Sequence, residues 1–220
     1  MRISEPIMKR FAQQLGLPSG AAGRFVTRFL NIANRRLIEG SAEALEAARG
    51  GQVADIGFGG GYGLDILLDR VGPQGTVYGI DVSATAISQA RRRFKHVIHE
   101  GQLHLMEAPM RRLPLADDAL DGVVTANTIY YIPDDELPAS FAEVARTLRT
   151  GGRLVVGVGD PAFMAGLPFR DGLRIRPLDE VTGLITNAGF DICDHQRVGQ
   201  SDRAFHVYAA TLQSAPVSRR

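Results

Sequence analysis

The chain is expected to adopt an α/β fold, a doubly wound and mostly parallel sheet with helices on both faces. Three observations carry that expectation: strand-like apolar runs alternate with helix-sized segments, the first run feeds a glycine-rich turn, and the second closes on an acid.

The first element is the run VADIGFGGG from Val53 to Gly61, in which Asp55 precedes Gly57, Gly59 and Gly61 at every second position. Glycines without a Cβ can take positive φ and expose bare backbone N–H groups to a ligand. The helix expected from Tyr62 to Val71 aims its N-terminal dipole at the same place. A dinucleotide fingerprint would need a third glycine at 62 or 64, and Tyr62 and Leu64 stand there, so that register fails. Thr76 to Asp81 reads as the second strand, bounded upstream by Gly72, Pro73 and Gly75. Asp81 falls 20 positions after Gly61, where a βαβ unit places an acceptor for the two hydroxyls of a ribose. Ser83 is then the expected N-cap of a helix running to about Val97.

Leu120 to Ala126 reads as the fourth strand, after LPLADDALD, and Gly152 to Val158 as the fifth, after the turn RTGGRL at Arg149 to Leu154. A Pro- and Gly-rich connection from Gly159 to Pro177 leads to a helix over Asp179 to Ala188. Two strands follow, Phe190 to Val198 and Ala204 to Leu212, joined by a turn at Gly199 to Asp202. Upstream of the first strand, helices are expected over Pro6 to Leu15, Arg24 to Glu39 and Ser41 to Arg49, with a break at Gly16 to Gly23. Phe25, Phe29 and Ile32 make an apolar stripe there, with Arg28, Asn31 and Asn34 as polar groups available to a pocket.

Taken together, the D-x-G-x-G-x-G turn, Asp81, the L-P-apolar-x-D segment and the R-T-G-G-x-L turn resemble the class I S-adenosylmethionine-dependent methyltransferases, of the type 11 small-molecule kind, over roughly Gly51 to Gly159. The resemblance implies a Rossmann-like, seven-stranded, mostly parallel sheet with one antiparallel strand and an N-terminal helical cap. It implies S-adenosylmethionine as cofactor and S-adenosylhomocysteine as product. Asp55, Gly57, Phe58, Gly59, Gly61, Asp81, Val82, Met110 and Asn127 are the positions it assigns to that cofactor, with Tyr62 as a further wall candidate. The chain departs from the pattern at Ala108, Pro109 and Met110, where relatives often carry an acid that reads the adenine amine; Thr150 also replaces a proline. Proline can neither donate from its backbone nor accept the amine, which leaves the Met110 N–H to meet a ring nitrogen. Tyr130 and Tyr131 in the loop after strand four, and His206 in the last strand, are the candidate acceptor-side residues, as rings, phenol donors or a base. Methyl transfer from a sulfonium chiefly requires alignment, so no residue has to act as a base.

Composition bounds the rest. The 220 residues, 45% hydrophobic, suit one sizeable core, divided as a cap at 1–50, a cofactor-binding domain at 51–213 and a disordered tail at 214–220. A net charge of +1, from 25 basic and 24 acidic residues, offers no field to recruit nucleic acid, so the expected partner is a small-molecule acceptor. The lone Cys193 allows no internal disulfide and is expected as a small buried hydrophobe in a reducing, cytoplasmic setting. No apolar run approaches the ~20 residues needed to span a bilayer, and no histidine and carboxylate cluster has metal-ligand spacing. A nicotinamide oxidoreductase and a catalytically silent binding protein remain alternatives; nothing in the sequence sets the oligomeric state.

Overall fold

The computed structural model describes residues 34–168, 170–200 and 203–213. The helices expected before residue 34, with Arg28, Asn31 and the Phe25 and Phe29 stripe, lie outside them, as does the tail from Ser214. Seven strands form one sheet in the order β3-β2-β1-β4-β5-β7-β6. They are β1 (Gln52–Ile56), β2 (Thr76–Asp81), β3 (Leu103–Glu107), β4 (Leu120–Ala126), β5 (Leu148–Gly159), β6 (Phe190–Gln200) and β7 (Arg203–Leu212). The pairings are parallel except those of β7, which runs antiparallel to both β5 and β6. The expected mostly parallel sheet with one antiparallel strand is therefore present.

Helices cover both faces because each carries an apolar stripe at helical spacing. On one face α1 (Arg35–Ala44) buries Leu37, Ser41 and Ala44, and α2 (Tyr62–Val71) buries Leu64, Leu67 and Val71. They are joined there by α3 (Ala84–Arg93) and the short α4 (Lys95–His99). The opposite face holds α5 (Leu137–Thr147), burying Leu137, Phe141 and Val144, and α7 (Leu178–Asn187), burying Val181 and Ile185. Between β5 and α7 lies the short α6 (Pro161–Ala165).

Three expectations need correction. Helix α1 runs through Gly40, where a break between two helices was expected, and stops at Ala44. A Cβ built on Gly40 would lie 3.3 Å from Val198 Cγ1, so the glycine serves close packing against β6 while the helix continues. The helix begun at Ser83, whose hydroxyl does accept from Ala86 N–H at 3.2 Å, does not reach Val97 unbroken. It stops at Phe94, whose ring turns inward against Gly61. Cys193 is exposed, because it stands with the exposed Asp191 on one face of the edge strand β6, at a point where the register against β7 shifts between Ile192 and Asp194.

Candidate functional site

The parallel strands end at one edge of the sheet, and a cavity of about 520 Å³ opens there. Its floor is the glycine turn after β1. Gly57, Gly59 and Gly61 all hold positive φ, at 77°, 53° and 74°, a region closed to most side chains. They differ in what surrounds them. A Cβ on Gly57 would sit 2.2 Å from Thr128 Oγ1, so this glycine lets the β1 and β4 loops pass; the Thr128 hydroxyl donates to Ile56 O at 3.1 Å. A Cβ on Gly59 would meet only Gly57 O at 3.9 Å, because the space above Gly59 is open.

Two acids close this end of the cavity. Asp81, 8% exposed, accepts from Gly59 N–H at 2.9 Å and from Ser83 N–H at 2.8 Å, which ties the first turn to the second strand. Burial raises its pKa, against the backbone N–H bonds from Ser83, Gly59 and Val82 that hold it down. Asp55 is 6% exposed, and burial first, with the neighbouring Asp81 charge second, pushes its carboxyl up to about 7. An acid held in that state suits a cationic ligand, which would supply the missing counter-charge. Of the three side-chain oxygens buried without a partner among the described residues, two belong to this region: Ser41 Oγ on α1 and Asn127 Oδ1 after β4, where Asn127 itself holds φ 55°. Both residues line the cavity.

Most of the sequence-assigned positions line this one cavity: Asp55, Gly57, Phe58, Gly59, Asp81 and Val82, and across it Met110, Asn127, Tyr130 and Tyr131. Asn34 also lines it. Three candidates do not. Gly61 is the N-cap of α2 and lies under the Phe94 ring, 3.1 Å from where its Cβ would be, so it shapes the turn while Gly60 and Gly63 face the cavity. Tyr62 turns away to donate to Glu39 Oε1 at 2.6 Å, with Arg35 over its ring, and so pins α1 to α2. His206 is the third. Its Nε2 lies 3.2 Å from Asp160 Oδ2 and its Nδ1 2.9 Å from His195 Nε2, in a chain that runs toward the sheet edge. Its neighbour Phe205 takes the cavity side, as strand alternation requires.

The opposite end of the cavity is apolar. A 3-10 turn at Ile129–Tyr131 brings in Tyr130, 3% exposed, whose hydroxyl donates to Gly159 O at 3.1 Å. Burial raises the pKa of that phenol well above its ordinary value and pushes Tyr131 up to about 12. Phe163, Met164, Leu167 and Leu173, from the connection after β5, complete the wall. Sequence reasoning passed over these four, although Asp160 followed by Pro161 is a helix-start signal: the Asp160 carboxylate accepts from Ala162 and Phe163 N–H and starts α6. Arg176 was missed with no such signal to find it. Its guanidinium, 5% exposed, donates to the carbonyls of Ile129, Ile132 and Arg174 and pairs with Asp134, so it staples the Tyr130 loop to the Leu173 segment.

Residues 53–152 match the family described as Methyltransferase domain. Aklanonic acid methyltransferase DauC of a Streptomyces species is 30% identical over 163 residues, covering 73% of this chain and 70% of that protein. An arsenite methyltransferase of Halobacterium salinarum is 32% identical over 151 residues, 68% of this chain and 36% of that protein. The chain thus spans about a third of the length of some curated relatives. Among solved structures, a SAM dependent methyltransferase from Aquifex aeolicus shares the fold with a TM-score of 0.69 at 18% identity, covering 96% of this chain and 100% of that one. The glycine turn on β1, the strand order and a relative aligned over most of its length agree: the chain belongs to the S-adenosylmethionine-dependent methyltransferases.

Proposed function

We propose that this chain moves a methyl group from S-adenosylmethionine to a small-molecule acceptor and releases S-adenosylhomocysteine. The observation that carries the reading is one cavity with two unlike ends, an acid-and-glycine end and an apolar end. Asp81 would take the ribose hydroxyls, exchanging a backbone partner for them. Asp55 and the unpartnered Asn127 Oδ1 would take the ammonium, a group with three donors and no acceptor. Val82, Ala108 and Met110 would hold adenine by apolar contact and the Met110 N–H. The bound cofactor supplies an activated methyl; the protein's share is to hold acceptor and donor in line and to keep water out. Alignment of this kind contributes ~7–11 kcal/mol in well-ordered systems.

A small acceptor is supported by relatives named for arsenite and aklanonic acid and by the near-zero net charge. No helix among the described residues is long and apolar enough to cross a membrane; a cytoplasmic setting is part of the reading. So is a cap at residues 1–50, supported by the cavity contacts of Asn34, Ile38 and Ser41. Calorimetry with S-adenosylmethionine, S-adenosylhomocysteine and NADH tests all of this. Binding of the first two and not the third is expected. The reverse would make the chain an oxidoreductase, and tight binding with no transfer to any small acceptor would make it a binding protein.

A further inference from the structure

We infer, on the basis of the methyl-transfer reading, that the acceptor is a phenol or enol on an uncharged apolar body, held by a hydrogen bond donated from Tyr131. The walls of the acceptor end come from Tyr131, Ile132, Phe163, Met164, Leu167 and Leu173. An anionic or cationic body would lose its hydration there and gain no counter-charge. The two ionic side chains that line that end, Arg111 and Glu136, satisfy each other at 2.8 Å, both more than a third exposed, and Arg176 behind the wall is taken up by Asp134 and by the carbonyls of Ile129, Ile132 and Arg174.

The polar groups at this end fall into two kinds. Tyr130 is committed to Gly159 O, Thr128 to Ile56 O, and the Ser140 hydroxyl to Glu136 O at 2.8 Å. Tyr131 is different: its hydroxyl has no hydrogen-bond partner among the described residues. Burial keeps that phenol protonated at neutral pH, so it donates to an acceptor oxygen and takes no proton from it. Asp55 and Asp81 lie at the glycine end, one beside Gly63 and the other bound to Gly59, and His206 is outside the cavity. Among the described residues, then, the acceptor end holds a hydrogen-bond donor and no free base.

An aliphatic alcohol needs such a base, whereas an acidic phenol or enol loses its proton to solvent first. Its oxyanion then forms the C–O bond as the C–S bond breaks, the electron pair going to sulfur; charge balances as anion and sulfonium become ether and thioether. The Tyr131 donor favours the oxyanion over the neutral hydroxyl and so selects this class of acceptor.

The test uses the full chain with S-adenosylmethionine and four probes: umbelliferone and a series of ring-substituted analogues of graded acidity, decalinol as an aliphatic alcohol of similar size, and tyramine as a phenol on a cationic body. Methylation of the umbelliferone series is expected, with decalinol and tyramine at least about a hundredfold slower. The inflection of kcat/KM with pH should move with the acidity of each analogue. Tyr131→Phe should cut kcat/KM about tenfold, the value of one hydrogen bond, with cofactor affinity unchanged. A fixed inflection across the series, comparable turnover of decalinol, or a Tyr131→Phe variant as active as the parent would overturn the inference. So would S-adenosylmethionine binding with no transfer to any phenol, whereas failure of S-adenosylmethionine to bind would overturn the methyl-transfer reading beneath it.

Discussion

Asp55→Asn should make the ligand-free protein more stable above neutral pH while weakening its hold on cofactor. The carboxyl rises from 3.8 to about 7 on folding, through burial first and the Asp81 charge second, and at 1.36 kcal/mol per pH unit this amounts to about 4 kcal/mol. The sign follows from proton counts. Between about pH 4 and 7 the unfolded chain has released this proton and the folded chain keeps it, so stability falls as pH rises through that window and stays low above it. Asparagine removes the ionisation cost but brings an amide whose donors need partners, which takes back about 1–3 kcal/mol. A net gain of about 1–3 kcal/mol is expected at pH 8, or roughly 2–4 °C in melting temperature for each kcal/mol, and none near pH 3. Urea denaturation of both proteins at pH 3.5, 5, 6.5 and 8 measures the difference. Cofactor should reverse the order: an ammonium beside Asp55 draws its pKa down, so binding by the parent releases a proton below about pH 7 and tightens with pH. Calorimetry in buffers of different ionisation enthalpy reads that release. A stability difference that does not vary with pH, or binding without proton release at pH 6, would refute both the buried-acid argument and the ammonium assignment.

Asp81→Ala should weaken S-adenosylhomocysteine binding by about 1–3 kcal/mol. It should also lower stability, since Gly59 and Ser83 N–H lose their shared acceptor; unchanged binding in calorimetry would take Asp81 out of the site. Gly59→Val should fold with some loss of stability and lose cofactor affinity at least tenfold, because a β-branched side chain would stand at φ 53° in the open space above the turn; normal affinity would show that ligand does not use that space. Arg176→Met should cost about 1–3 kcal/mol of stability, the range for leaving buried polar groups unsatisfied, since Ile129, Ile132 and Arg174 carbonyls lose their donor while the exposed Asp134 is left to solvent. It should raise KM for the acceptor more than Kd for the cofactor, and equal effects on both would contradict a staple local to the acceptor end.

How much of this was legible in the sequence depended on whether the signal was local. The glycine turn, Asp81 and the approximate strand spans could be read because each is a short stretch whose backbone chemistry is set by its own residues. Strand ends such as Asn127 followed from the fold rule that ligands gather at the carboxyl edge. Gly40 misled because glycine breaks helices by propensity, whereas here contact with Val198 decides its use. Tyr62 and His206 were drawn elsewhere by Glu39 and Asp160, partners distant in the chain that no spacing announces. Arg176 is the clearest omission, since an arginine satisfied by two carbonyls of a distant loop and one two residues away looks, in sequence, like any surface arginine.

The connection between β5 and α7 is pinned at both ends and free in what it displays. Asp160 anchors its start to the sheet through His206, and Arg176 fixes its finish to the loop after β4. Between those anchors stand Phe163, Met164, Leu167 and Leu173, which face the cavity. On the proposed methyl-transfer reading this is an exchangeable cassette: new side chains at those four positions would change what the cavity accepts while the glycine turn stays as it is. The same arrangement would let acceptor preference drift in evolution with the cofactor end unaltered.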